Sequence, residues 1–183
     1  MVLNVAQPDE PELIRLAQLG NREAFAALVE AYWDRLYRWL FHLTRDRHSA
    51  EDLAQECFLK AFTGLDTFKP PARFQAWLFR IAHNAWVNSR RVRVRVWQSF
   101  PEDGPTHDQG PAELAMNREA LKELTLAVGR LPSDYRAAFL LRVEQDMSFH
   151  DIAEALEISE ETARWRVFKA RQKLMEVMEK HLD

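Results

Sequence analysis

One tract decides how this chain can fold. Residues 98–111 read QSFPEDGPTHDQGP, holding three of the chain's eight prolines and two of its five glycines without apolar periodicity. Such a run sustains neither helix nor strand, so it reads as a flexible linker between units at 8–97 and 112–183. In both units apolar residues recur at spacings of three and four. The expectation is an all-α protein, two small helical domains each burying a modest core.

In the first unit, residues 11–19 read as a short helix closed by Gly20, with Asn21 capping the next. Phe25, Leu28, Val29, Tyr32, Leu36, Trp39, Leu40 and Leu43 then mark a long amphipathic helix. Ser49-Ala50-Glu51-Asp52 resembles a capping box and predicts a third helix running to Gly64, with Leu53, Cys57, Ala61 and Phe62 inward. Its opposite face presents Asp52, Gln55, Glu56 and Leu59, either a solvated face or an acidic contact surface.

Residues 67–101 contain no acid, although the whole chain carries 28 acids against 25 Lys and Arg. Seven of those 35 residues are basic and seven aromatic. Cations track a phosphate backbone and planar rings hold unstacked bases, so the mixture suits single-stranded nucleic acid. It equally suits a helix with an aromatic core side and a wet basic side. A helix is expected from Ala72, past the paired prolines, with Phe74, Leu78, Ile81 and Ala85 buried. Arg73, Trp77, Arg80, Asn84 and Arg91 fall on another side, where an exposed Trp is expected to have a partner. The alternating RVRVRV of residues 91–96 fits a strand edge or a helix end.

In the second unit, helices are expected over 114–130 and from Pro132 onward, with a turn at Gln145-Asp146-Met147. Ser148 begins a second capping box before the short helix IAEAL. Three residues, Glu157-Ile158-Ser159, separate it from a long helix starting near Glu160 that is free of acids over 162–175. Two helices joined by so short a turn, the second basic, make a helix-turn-helix pattern; a plain helical hairpin would share it.

In order and spacing, SAEDLAQECFLKAF, FKPPARFQAWLFRIAHNAWVNSRR and LPSDYRAAFLLRVEQDMSFHDIAEALEISEETARWRVFKARQKL resemble regions two and four of an extracytoplasmic-function RNA polymerase sigma factor of the sigma-70 family. The match covers about 10–97 and 117–176. The resemblance implies that 8–97 is a region 2 helical bundle and 112–183 a region 4 helix-turn-helix domain. It further implies that Asp52, Gln55 and Glu56 dock on the clamp coiled coil of the polymerase β′ subunit, and that region 4 meets the β flap. Phe68, Lys69, Arg73, Trp77, Arg80 and Asn84 would melt and read the minus-ten element. Arg164, Trp165, Phe168 and Lys169, with Arg166 and Arg171 on phosphates, would read the minus-thirty-five duplex. Trp165 stands where many relatives carry a small residue, Glu157 where the turn often has glycine, and Glu160 and Glu161 set negative charge at the helix start. An anti-sigma partner is a further implication.

The net charge of −3 is low for a free DNA-binding protein, which suits a factor that meets DNA only with core polymerase. A free-standing helix-turn-helix regulator is the alternative. Six histidines without HExxH-like pairing, no glycine-rich phosphate loop and no activated nucleophile predict no enzyme, no catalytic residue, no metal and no cofactor. A lone cysteine and the lack of a signal peptide or apolar span predict a cytoplasmic protein with no membrane insertion.

Overall fold

A computed structural model describes residues 9–97 and 118–179, and the expected linker at 98–111 lies outside them. The described residues are all-helical. The first unit comprises α1 (Glu10–Gln18), α2 (Arg22–Thr44), α3 (Arg47–Gly64), a 3-10 turn (Leu65–Thr67) and α4 (Phe74–Trp97). The second comprises α5 (Arg118–Arg130), α6 (Ser133–Val143), α7 (Phe149–Leu156) and α8 (Glu160–Glu179).

Local chemistry sets most boundaries. Asp9 caps α1, and Asn21 caps α2 by accepting from the Ala24 amide at 3.0 Å. Gly20 between them sits at φ 88°, a conformation that suits a residue without Cβ. α3 begins earlier than its capping-box signature predicts: Asp46, not Ser49, is the cap, accepting from the Ser49 amide at 2.7 Å. The reason lies just upstream, where left-handed Arg45 ends α2 and leaves Asp46 extended, the conformation a cap requires. Phe62, expected inward, is half exposed against Phe25; Ala54 and Phe58 take the buried positions instead. Residues 91–97 continue α4, so the period-two reading of RVRVRV gives way to helix.

The two units were expected to have separate cores, but their buried side chains form one cluster. α6 lies across α2, and α7 packs along α4. Trp39 of α2 is fully buried edge-on to Phe79 of α4, with its indole N–H donating to the Ala137 carbonyl of α6 at 3.3 Å. An aromatic of this size removes about 150–250 Å² from water, worth roughly 4–6 kcal/mol at about 25 cal/mol/Å². Part of that apolar burial is shared with α6, so apolar contact helps to join the units.

Polar groups at the seam are matched across it. Gln145, buried in the α6–α7 turn, accepts from Arg35 Nε at 2.9 Å through its side chain, and its carbonyl accepts from Arg35 Nη2 and Gln75 Nε2, each at 3.2 Å. Buried Arg136 of α6 donates to the carbonyls of Gly129 and Leu43, placing its cation at the negative ends of α5 and α2. Burial, with Arg45 and Arg90 nearby, pulls its pKa below the usual arginine value.

Candidate polymerase and nucleic-acid interfaces

Three surfaces hold the residues singled out by sequence. The first is the outer face of α3. Leu53, Ala54, Cys57, Phe58 and Ala61 point into the core, so the helical period leaves Asp52, Gln55, Glu56 and Leu59 outside, and all four are exposed. Glu56 is salt-bridged to Lys60 on its own helix, an exposed pair of small energetic weight. One turn further on, Leu59 is 65% exposed and Phe62 47%, so the acidic stripe ends in an apolar tip. Leu59 belongs to the stripe expected from the sequence, whereas Phe62 escaped sequence reasoning because it matches the inward period of α3.

The second surface is the start of α4 and the turn before it. Lys69, Arg73, Arg80 and Asn84 are exposed. Phe68 and Trp77 are not: they are 4% and 8% exposed and form an aromatic triad with Phe74, each pair of rings 5.6–5.7 Å apart. This differs from the expectation that Trp77 stands on an exposed row. The physical reason was present in the sequence: Phe74, Trp77, Leu78, Ile81 and Ala85 follow i, i+3, i+4, i+7, i+11, the arc of a buried helix face. What Trp77 does offer is an edge, in a shallow cleft of about 310 Å³ lined by Lys60, Gly64, Thr67, Trp77, Ile81 and Asn84. A cation, a hydroxyl and an amide around an aromatic edge can hold a flat polar group such as a base.

The third surface is the outer face of α8. Ala163, Val167, Ala170 and Leu174 are buried, which turns Arg164, Trp165, Phe168 and Arg171 outward. Trp165 is 49% exposed and braced edge-on by Tyr135 at 5.5 Å; Phe168 is 61% exposed, with the Lys169 ammonium 5.9 Å from its ring. Arg164 sits 4.8 Å from the Phe149 ring and bonds Glu160 at 3.2 Å. Glu160 also meets His150 at 3.2 Å, so its charge at the helix start is shared with two cationic or potentially cationic partners. Arg166 differs from its neighbours, lying mostly covered and paired with Asp134 at 3.3 Å.

The turn geometry is that of a helix-turn-helix. Ser148 caps α7 and bonds the Asp151 carboxylate at 2.7 Å, while Glu157 adopts the left-handed conformation at φ 54°. Because α7 packs along α4, the second and third surfaces belong to one body. Arg73 approaches buried Asp151 at 3.8 Å, and Arg90 donates to Ser133 at 2.9 Å. His83 of α4 faces Asp134, Glu157 and Arg166; its Nδ1 is buried without a hydrogen-bond partner, and burial holds its pKa below the usual imidazole value.

Comparisons with known proteins bear on all three surfaces. Residues 28–96 match the family described as Sigma-70 region 2, and residues 121–174 match Sigma-70, region 4. The chain is 32% identical over 180 residues to the RNA polymerase sigma-H factor of Pseudomonas aeruginosa, covering 92% of this chain and 93% of that protein. It is 33% identical over 159 residues to the ECF RNA polymerase sigma factor SigE of Mycolicibacterium smegmatis, covering 84% of this chain but spanning only 61% of that relative's length. Among solved structures, CnrH in complex with the cytosolic domain of CnrY superposes with a TM-score of 0.69 at 26% identity, covering 92% of this chain and 96% of that one. The sigma factor RpoE of Bartonella quintana, in complex with the anti-sigma factor NepR, superposes with a TM-score of 0.71 at 26% identity over 85% of this chain and 96% of that one.

Proposed function

The chain belongs to the sigma-70 family of RNA polymerase sigma factors, in its extracytoplasmic-function branch, and from that premise we propose how its surfaces divide the work of promoter recognition. It joins core polymerase and directs it to promoters, recognising minus-thirty-five duplex and melting the minus-ten element. The observation that carries this reading is the presence of both family regions, in order, on one chain with whole-length likeness to a sigma factor. Nothing favours the free-standing regulator. The chemistry of RNA synthesis belongs to the polymerase, so this chain contributes recognition and no catalysis, and it acts in the cytoplasm where its partner is. Among the described residues, no helix is long and apolar enough to cross a membrane.

In this reading, residues 8–97 and 112–183 are the two domains and 98–111 the linker. The exposed stripe Asp52, Gln55 and Glu56, extended by Leu59 and Phe62, docks on the β′ clamp coiled coil. Carboxylates orient the encounter and the apolar tip adds area that water releases on contact. Lys69, Arg73 and Arg80 hold the non-template strand, and the cleft beside Asn84 takes an unstacked base against the edge of Trp77. Unpairing a base costs a few kcal/mol, and an edge contact returns less than the about 1–3 kcal/mol of stacking on an open ring face, so melting needs the phosphate contacts too. Phe68 supports this site from within the core. On α8, Arg164, Phe168, Lys169 and Arg171 face the groove and backbone, with Trp165 alongside. Arg166 reaches phosphate only after leaving Asp134. Region 4 also meets the β flap, and an anti-sigma factor, as in the complexes of CnrH and RpoE, is a further partner.

Two measurements test the assignment. Alanine at Asp52, Gln55 and Glu56 together is expected to leave the helical circular dichroism unchanged and abolish pull-down of core polymerase. Unchanged pull-down would return the stripe to an ordinary solvated face. In a gel shift at physiological salt, the protein alone is expected to bind promoter duplex weakly and without sequence preference, whereas tight specific binding would sink the polymerase-dependent reading.

A further inference from the structure

We infer that Trp165 and Glu161 form the base-reading pair of α8, Trp165 contacting a thymine methyl and Glu161 accepting from the amino group of a nearby cytosine. This rests on the sigma-factor reading above and says which bases the minus-thirty-five surface selects. Ala163, Val167, Ala170 and Leu174 fix the inward side of α8. At about 100° per residue, Glu161 and Trp165 fall about 150–170° from the middle of that arc, so they point toward the floor of a groove that receives this helix. Both are exposed. Glu160 and Arg164 fall instead on the flank beside α7, where they meet His150 and Phe149.

The two glutamates at the start of α8 are therefore in different situations. Both carboxylate oxygens of Glu160 are engaged: Oε2 accepts from Arg164 Nη2 and Oε1 meets His150 Nδ1, each at 3.2 Å. The Arg164 guanidinium is held in turn 4.8 Å from the Phe149 ring, at the rim where phosphates pass. Glu161 pairs with none of the described cations. A free carboxylate on a face that meets DNA is repelled by phosphate and gains only where a base offers it hydrogen. In the major groove that means the amino group of cytosine or adenine. Adenine's lies between two acceptors, its own N7 and thymine O4, which repel a carboxylate on either side; cytosine's has guanine O6 on one side only. Cytosine is the better match.

Trp165 presents an apolar ring to the same groove, and the one apolar group there is the thymine methyl. Tyr135 braces the indole edge-on at 5.5 Å, so the ring is fixed before binding and loses less rotamer freedom on contact. Residues four apart on a helix are separated by a rise of about 6 Å. Base pairs stack at about 3.4 Å, which sets the cytosine and the thymine about one or two pairs apart.

The test uses holoenzyme reconstituted from core polymerase and full-length protein, selecting minus-thirty-five duplex from a randomised library. The parent is expected to fix a cytosine and a thymine at that spacing. Glu161→Ala should lose only the cytosine, discrimination there falling roughly fivefold to tenfold, and Glu161→Gln should turn the preference to adenine, whose N6 and N7 suit an amide. Trp165→Ala should lose only the thymine. Replacing that thymine with uracil removes the methyl alone; it should weaken the parent roughly fourfold and leave Trp165→Ala unmoved.

A glutamate that served only the helix dipole would lower the melting temperature on replacement and leave the selected bases unchanged, which would overturn the role of Glu161. Tighter binding of Glu161→Ala to every duplex alike would overturn it too, as the mark of simple repulsion. Uracil tolerated by the parent would overturn the Trp165 contact. A parent holoenzyme that selects no minus-thirty-five element at all would strike the sigma-factor reading itself, and the base assignment with it.

Discussion

The start of α4 and the outer face of α8 carry similar residues, arginines interleaved with large aromatics, yet the fold treats them in opposite ways. On α8 the small residues Ala163 and Ala170 and the branched Val167 face inward, so Trp165 and Phe168 are left in solvent. On α4 the aromatics themselves supply the core, and Phe68, Phe74 and Trp77 close on one another. A DNA surface can thus be built with aromatics as the contact or with aromatics as the support. In the second case the polar neighbours, Asn84, Lys69 and the arginines, make most of the ligand contact, and the ring adds no more than its edge.

The sharpest way to break this contrast is to truncate one aromatic on each side. Trp77→Ala should cost about 3–5 kcal/mol of stability, as for a buried core aromatic, seen as a fall in melting temperature without DNA present. Phe168→Ala should leave the melt within about 0.5 kcal/mol of the parent and instead lose about 1–3 kcal/mol in holoenzyme binding to minus-thirty-five duplex. If Trp77→Ala melts like the parent while promoter melting is lost, the ring is a contact and not a support.

The second contrast sets the two turns against each other. Glu157 is left-handed at φ 54°, where a side chain is strained by about 1–2 kcal/mol. Glu157→Gly should therefore stabilise the protein, by about 1 kcal/mol or less once glycine's own entropy is counted. Gly20 already has the residue its φ of 88° calls for, so Gly20→Ala should destabilise.

The smallest effect is in pH. His83 is held below its ordinary value of 6.5, chiefly by burial, so the folded protein takes up a proton less readily than the unfolded chain. The associated stability is fully present above 6.5 and is lost as pH falls through the lower folded value. The carboxylates of Asp134 and Glu157 oppose this and the Arg166 cation reinforces it. His83→Gln should flatten the stability profile between about pH 7 and 5, and an unchanged slope would assign it to other groups.

Much of the fold was legible in the sequence because its signals are local. Asn21, Ser148 and the prolines mark ends that side-chain and backbone chemistry enforce, and the Asp52, Gln55, Glu56 stripe follows directly from helical period. The α3 start was misplaced by three residues because Ser49 and Asp46 both offer capping oxygens, and only the left-handed Arg45 decides between them. Trp77 was misassigned because its arc includes both core and edge. The packing of one domain on the other was not legible at all. Gln145, Arg35 and Arg136 look like ordinary surface residues until a partner 110 or 93 positions away in the chain supplies the other half of the bond.

The most direct test of the central claim is run-off transcription with core polymerase on DNA selected by the reconstituted holoenzyme from a random library. The account predicts a discrete transcript that depends on this protein, requires both selected elements, and disappears when Asp52, Gln55 and Glu56 are replaced by alanine. No transcript with an intact, core-bound protein, or a transcript unaffected by scrambling both elements, would contradict it.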